Sequence, residues 1–133
     1  MNKERIIQEA EERGRRTIQK WVNDECHTLS EFSKVTGHNL DMLKTLDSEG
    51  RYFGIEHGGE LYWPKFQGKS PPPYFEIVMG YLRYREFGPW TIFQFWRSTD
   101  GRVPAMSNIE RLREGHLEAV LLDAVTLFEH GSR

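Results

Sequence analysis

Three groups of side chains in this 133-residue sequence are of types that do chemistry. Asn39, Lys44 and Thr45 fall within one short apolar-periodic segment. Their amide, ammonium and hydroxyl groups suit nucleic acid: asparagine pairs with adenine, and lysine with guanine or a phosphate. Glu110, Glu114 and His116 gather near one loop, as acid and base groups would. Cys26-His27 is the third group, a fragment of a nucleophile or metal site. Neither of the last two has companions, because no nucleophile elbow, phosphate loop or metal-ligand spacing accompanies them. Cys26 is the only cysteine, which removes an internal disulfide and a thiolate zinc cluster. The expectation is a non-enzyme with no metal and no cofactor, in which Cys26 is a plain half-buried residue.

The nucleic-acid group needs a frame, and residues 28–67 supply one. Leu29, Phe32 and Val35 recur at steps of three, as do Leu40, Leu43 and Leu46, so two short helices each carry one apolar stripe. Thr28 and Glu31 have the spacing of a capping box. Gly37 permits a tight interhelical turn, Asn39 is placed to cap the second helix, and Gly50 to end it. Tyr52 to Pro64 then alternates around His57-Gly58-Gly59 as a two-stranded hairpin. The pattern is that of a winged helix-turn-helix.

Two registers are open to the hairpin. A two-residue Gly58-Gly59 turn sets Ile55 across from Tyr62. A three-residue loop sets Ile55 across from Leu61 and Phe53 across from Trp63, which gathers four large apolar groups on one face. Burial of each contributes roughly 1.5–3 kcal/mol. That outweighs the like-charge pairing of Glu56 with Glu60, so the three-residue loop is expected.

Ahead of this unit, residues 2–23 place Ile7, Ala10, Gly14, Ile18 and Trp21 on one stripe of a long helix. Behind it, Gly68-Lys69-Ser70-Pro71-Pro72-Pro73 breaks regular structure. The expected organisation is a long helix plus winged unit over 1–67, a linker over 68–73 and a helical partner-binding domain over 74–133. The fold class is mainly α with one small β-hairpin. Four helices are expected in the second part: Tyr74 to Arg85, Thr91 to Ser98, a helix capped by Asn108 and running through Arg113, and Leu117 to His130. Leu117, Val120, Leu121, Ala124, Val125 and Phe128 form the stripe of the last.

The net charge is −2 and the isoelectric point near 6.2, so the chain has no global attraction to phosphate. Residues 1–20 carry six basic and four acidic groups, whereas residues 21–67 carry four basic and eight acidic. The basic side chains Arg13, Arg15 and Arg16 therefore either pair with glutamates on their own helix or meet phosphates beside the winged unit. No apolar run reaches the length of a membrane span, and a cytoplasmic protein is expected.

Trp96-Arg97-Ser98-Thr99, Gly101-Arg102-Val103-Pro104, Ile109-Glu110-Arg111-Leu112 and Gly115-His116-Leu117-Glu118-Ala119-Val120 resemble the C-terminal toxin-binding domain of Xre/MbcA/ParS-type antitoxins. This chain differs in inserting Ala105-Met106-Ser107-Asn108 before Ile109. Leu61-Tyr62-Trp63-Pro64-Lys65-Phe66-Gln67 is similar to the wing end of the excisionase/MerR-like winged helix-turn-helix fused to such domains. The resemblance implies an antitoxin-like, DNA-binding regulator of transcription, its second half binding a partner protein such as the toxin of a toxin-antitoxin system. Trp90, Phe93, Trp96 and Arg102 are then the partner-binding candidates.

For the DNA side, Asn39 is expected to read adenine and Lys44 guanine or a phosphate, with Thr45 beside them. Ser30 and Lys34 would touch the backbone, and His57, at the wing tip, a minor groove or backbone. Twofold operators in double-stranded DNA make a homodimer the expected state. The alternative is a protein-interaction module that keeps the winged fold without binding DNA, its aromatic residues serving assembly.

Overall fold

The computed structural model describes residues 2–99 and 105–131. The elements are α1 (Lys3–Glu25), β1 (Cys26–Thr28), α2 (Leu29–Thr36), α3 (Leu40–Ser48), β2 (Ile55–His57), β3 (Glu60–Pro64), a 3-10 turn (Lys65–Gln67), α4 (Phe75–Tyr84), α5 (Pro89–Arg97), α6 (Asn108–Arg113) and α7 (Leu117–Gly131). The architecture is mainly helical with one small antiparallel sheet of order β1-β3-β2, a winged helix-turn-helix followed by a helical bundle.

Local chemistry accounts for the helix-turn-helix. The Thr28 hydroxyl accepts from the Glu31 amide at 3.2 Å while the Glu31 carboxylate accepts from the Thr28 amide at 2.8 Å, so both halves of the capping box are made. Gly37 closes α2 in the left-handed region at φ 80°, and the Asn39 side chain accepts from the Met42 amide at 2.9 Å to start α3.

The hairpin register differs from the expected one. Ile55 pairs with Tyr62, Glu56 with Leu61 and His57 with Glu60, around a two-residue turn in which Gly58 and Gly59 both have positive φ. The three-residue loop would be favoured if only one sheet face were buried. Both faces are buried: Trp63 and Leu61 pack toward Phe32 and Leu43 of the helix-turn-helix, whereas Ile55 and Tyr62 pack toward α4–α7. With helices on both sides, the apolar count on one face no longer selects the register, and the positive-φ turn decides it. The pairing also separates Glu56 from Glu60. A third strand, β1, completes the sheet, with His27 opposite Trp63.

The core is continuous across the proline-rich segment. Cys26, Phe53 and Ile55 belong to the same cluster as Phe75, Phe93, Trp96 and Val120. Gln67, fully buried, acts as a substitute strand: its amide accepts from the Phe53 N–H at 2.9 Å and donates to the Phe53 carbonyl at 2.8 Å. Arg83 on α4 pairs with Asp47 at the end of α3 at 2.7 Å, placing a cation at a helix C-terminus. The Tyr52 hydroxyl donates to the Lys69 carbonyl, and Pro72 is buried, so the linker is packed against what it joins.

In the helical half, Ser107 rather than Asn108 caps α6, through a capping box with Glu110. Serine lies three residues before a glutamate, the spacing the box requires. Asn108 instead donates its amide to the Phe95 carbonyl in the core at 3.0 Å. On α7, Val120 and Ala124 are buried and Val125 is exposed. The Phe128 side chain and residues 100–104 lie outside the described residues.

Two stability predictions arise from these ends. Helix α4 closes with the Phe87 amide on the Leu82 carbonyl and the Glu86 amide on that of Arg83, a Schellman pattern that puts Glu86 at φ 60°. Glycine has no penalty there, so Glu86→Gly is expected to stabilise the fold by about 1 kcal/mol, measured by denaturant unfolding. The second concerns acid. The Thr28 backbone N–H on Glu31, and the Ser107 hydroxyl and then its N–H on Glu110, hold both carboxyls below the ordinary glutamate value of 4.5. Groups with depressed folded values stabilise above the ordinary value, and that contribution is lost as pH falls through the depressed one. Unfolding midpoints should therefore decline below about 4.5, and by less in Glu31→Gln with Glu110→Gln.

Candidate nucleic-acid interface

Helix α3 sits across α2 with its outer face open. Asp41, Met42, Lys44 and Thr45 are exposed on it, and Ser30 and Lys34 are exposed on α2. A cleft of about 800 Å³ runs between the two helices and the hairpin, lined by Ser30, Leu40, Lys44, Glu56, Glu60 and their neighbours. The structure thus brings Ser30 and Lys44 to one concave surface, though they are fourteen positions apart in sequence.

Other candidates carry constraints that their spacing does not reveal. Asn39 is exposed, but its side-chain oxygen already accepts from Met42, which leaves its NH₂ as the group most available to a base. Thr45 donates its hydroxyl to the Asp41 carbonyl at 3.0 Å, a bond within the helix. His57 is half-buried: its ring lies 6.1 Å from that of Trp90, and its Nε2 is 3.4 Å from the Gln19 side-chain oxygen. It faces the helical half, because residues 55 and 57 share the sheet face that α4–α7 cover. The expectation that it probes DNA from the wing tip is corrected accordingly.

Glu56 and Glu60 are legible in the sequence only as charges. The two-residue turn puts Glu56 on the sheet face of Leu61, toward the cleft that holds Lys44, whereas Glu60 borders that cleft from the turn but shares the opposite face with His57 and Tyr62. Tyr62 donates its hydroxyl to Glu60 at 3.2 Å, and that bond, with a smaller contribution from burial, pushes the phenol up. The arginines are separate from this surface. Arg13, Arg15 and Arg16 are exposed on α1.

The partner-binding candidates are corrected as well. Phe93 and Trp96 are fully buried, and Trp90 is half-buried against Trp21 and Phe93. Aromatic spacing on α5 therefore reports core: Phe93 and Trp96 offer no surface to a partner, and Trp90 only part of its ring. Arg102 lies outside the described residues. Among the described residues, the exposed large apolar side chains of the helical half are Tyr74 just ahead of α4, Ile77 and Tyr84 on α4, and Leu122 and Val125 on α7, with Tyr84 76% and Leu122 65% exposed.

The remaining reactive types are occupied. The Cys26 thiol is pushed up to about 12, first by burial and then by Glu25, with Lys65 opposing, so it stays protonated. His27 points to the other face and stacks on Phe32 at 6.0 Å. Glu110 is engaged by Ser107, while Glu114 and His116 are exposed. Among the described residues, no three His, Cys, Asp or Glu side chains are grouped to hold a metal ion, and no helix is long and apolar enough to cross a membrane.

No family model matches the sequence, and no curated protein matches it. Among solved structures, the NMR structure of Rv2175c is similar, with a TM-score of 0.62 at 15% identity over 78% of this chain and 82% of that one. At that identity the likeness is one of fold alone.

Proposed function

We propose that the chain is an antitoxin-like, DNA-binding regulator of transcription acting in the cytoplasm. In this reading α3 enters the major groove of an operator and the helical half binds a partner protein, a cognate toxin where one is encoded beside it. The observation that carries the reading is a capped two-helix unit whose second helix presents Lys44 and the free amide group of Asn39 beside an open cleft. Ser30 and Lys34 flank it as backbone contacts, and Arg13, Arg15 and Arg16 supply positive charge the winged unit lacks. The partner surface falls to Ile77, Tyr84, Leu122 and Val125 in place of Phe93 and Trp96.

A second reading has specific support. Glu56 in the same cleft repels phosphate, as it would in a winged module that serves protein assembly alone. Mobility shift on the protein's own upstream DNA at two salt concentrations separates the readings. The first expects a shift at low salt that weakens in Lys44→Ala. No shift at either salt concentration leaves the protein-assembly reading, whereas a shift indifferent to Lys44 removes α3 from the DNA path. Asn39→Asp accompanies it, because aspartate keeps the helix cap while removing the amide donor.

A further inference from the structure

Helix α1 is covered at one end only. Its N-terminus is firm, because the Asn2 side chain accepts from the Glu4 amide at 3.0 Å. At its far end Trp21 packs against Trp90 and Phe93, and Arg97 lies over the Trp21 ring while pairing with Glu25. Between these ends, residues 3–17 are exposed without exception. Ile7, Ala10, Gly14 and Ile18 continue the stripe that Trp21 ends, yet Ile7 is 52% exposed and Ile6, beside it, 48%. Helices in proteins are held mainly by burying such a face rather than by propensity.

The charges say what fits there. Residues 3–12 carry a net −2, and residues 13–20, with Arg13, Arg15, Arg16 and Lys20, a net +4. The helix is therefore self-complementary when two copies run antiparallel and self-repelling when they run parallel. Ala10 and Gly14 stand near the middle, and a Cβ built on Gly14 meets nothing within 4 Å, so two backbones can approach closely where the helices cross.

We propose that α1 is a homodimerisation element that pairs antiparallel with α1 of a second copy, crossing near Gly14. The acidic half of each helix then faces the basic half of the other, and the two bodies lie at opposite ends of the pair. This gives the expected homodimer a surface, and it stands whether or not the winged unit binds DNA.

The test is sedimentation equilibrium of the full chain without DNA. The wild type is expected at about twice its 15.7 kDa at low salt, shifting toward monomer at high salt. Arg13→Glu/Arg15→Glu/Arg16→Glu makes both halves acidic, and Glu9→Lys/Glu11→Lys/Glu12→Lys makes both basic. Each triple variant alone is expected to be monomeric with its helicity retained. An equal mixture of the two is expected to recover the dimer mass. A monomeric wild type at low salt, a dimer that both variants leave intact, or a mixture that stays monomeric would overturn the proposal. None of these outcomes depends on operator binding, so failure here is distinct from failure of the DNA reading.

Discussion

Trp63→Ala is expected to remove about 3–5 kcal/mol of stability, enough to leave a domain of this size largely unfolded. Trp63 is fully buried, stacks on Phe32 with ring centroids 5.2 Å apart and an interplanar angle of 7°, and belongs to the small core of the helix-turn-helix. The strand that carries it also presents Tyr62 to the larger core, so losing the ring loosens the layer both helical groups rest on. Its fit is close: a Cβ on Gly54 would lie 2.9 Å from the ring. Among the described residues the buried indole N–H has no hydrogen-bond partner. Trp63→Phe, which keeps an aromatic ring and removes an unsatisfied donor, should therefore cost much less than alanine. Denaturant unfolding followed by circular dichroism measures both. An alanine variant as stable as the wild type would contradict the double-sided sheet.

Neutralising the wing is expected to have the largest effect on binding. Glu56→Gln should tighten DNA binding roughly fivefold at low salt, because a carboxylate held near a phosphate costs on the order of 1 kcal/mol. The gain should shrink as salt screens it. Fluorescence anisotropy on labelled upstream duplex measures it. Unchanged affinity across the salt range would place the DNA path away from the cleft.

Residues that work through their immediate neighbours are legible in the sequence alone. Thr28 with Glu31, Gly37 and Asn39 act over at most a few positions, and each does what its type and spacing dictate. The helices are legible for the same reason, since an apolar stripe is a local periodicity. The hairpin register is not, because it depends on α4–α7 covering the second sheet face, and that contact joins residues far apart in sequence. Strand β1 leaves no sequence signal, because three residues, Cys26 to Thr28, show no alternation long enough to detect. The aromatic residues of α5 carry the same composition as an interface, so only burial assigns Phe93 and Trp96 to the core. Glu56 and Glu60 are visible as charges, but the assignment of Glu56 to the cleft of Lys44 and of Glu60 to the other sheet face follows from the turn.

A grip on DNA by α3 through Lys44 is tested most directly by the salt dependence of binding. The dissociation constant of the full chain for its upstream duplex would be measured over a range of salt for the wild type and for Lys44→Ala. The expected result is a linear log-log dependence whose slope falls by about one in Lys44→Ala, the loss of one phosphate-neutralising group. Absence of binding at low salt, or identical slopes for the two proteins, would contradict it.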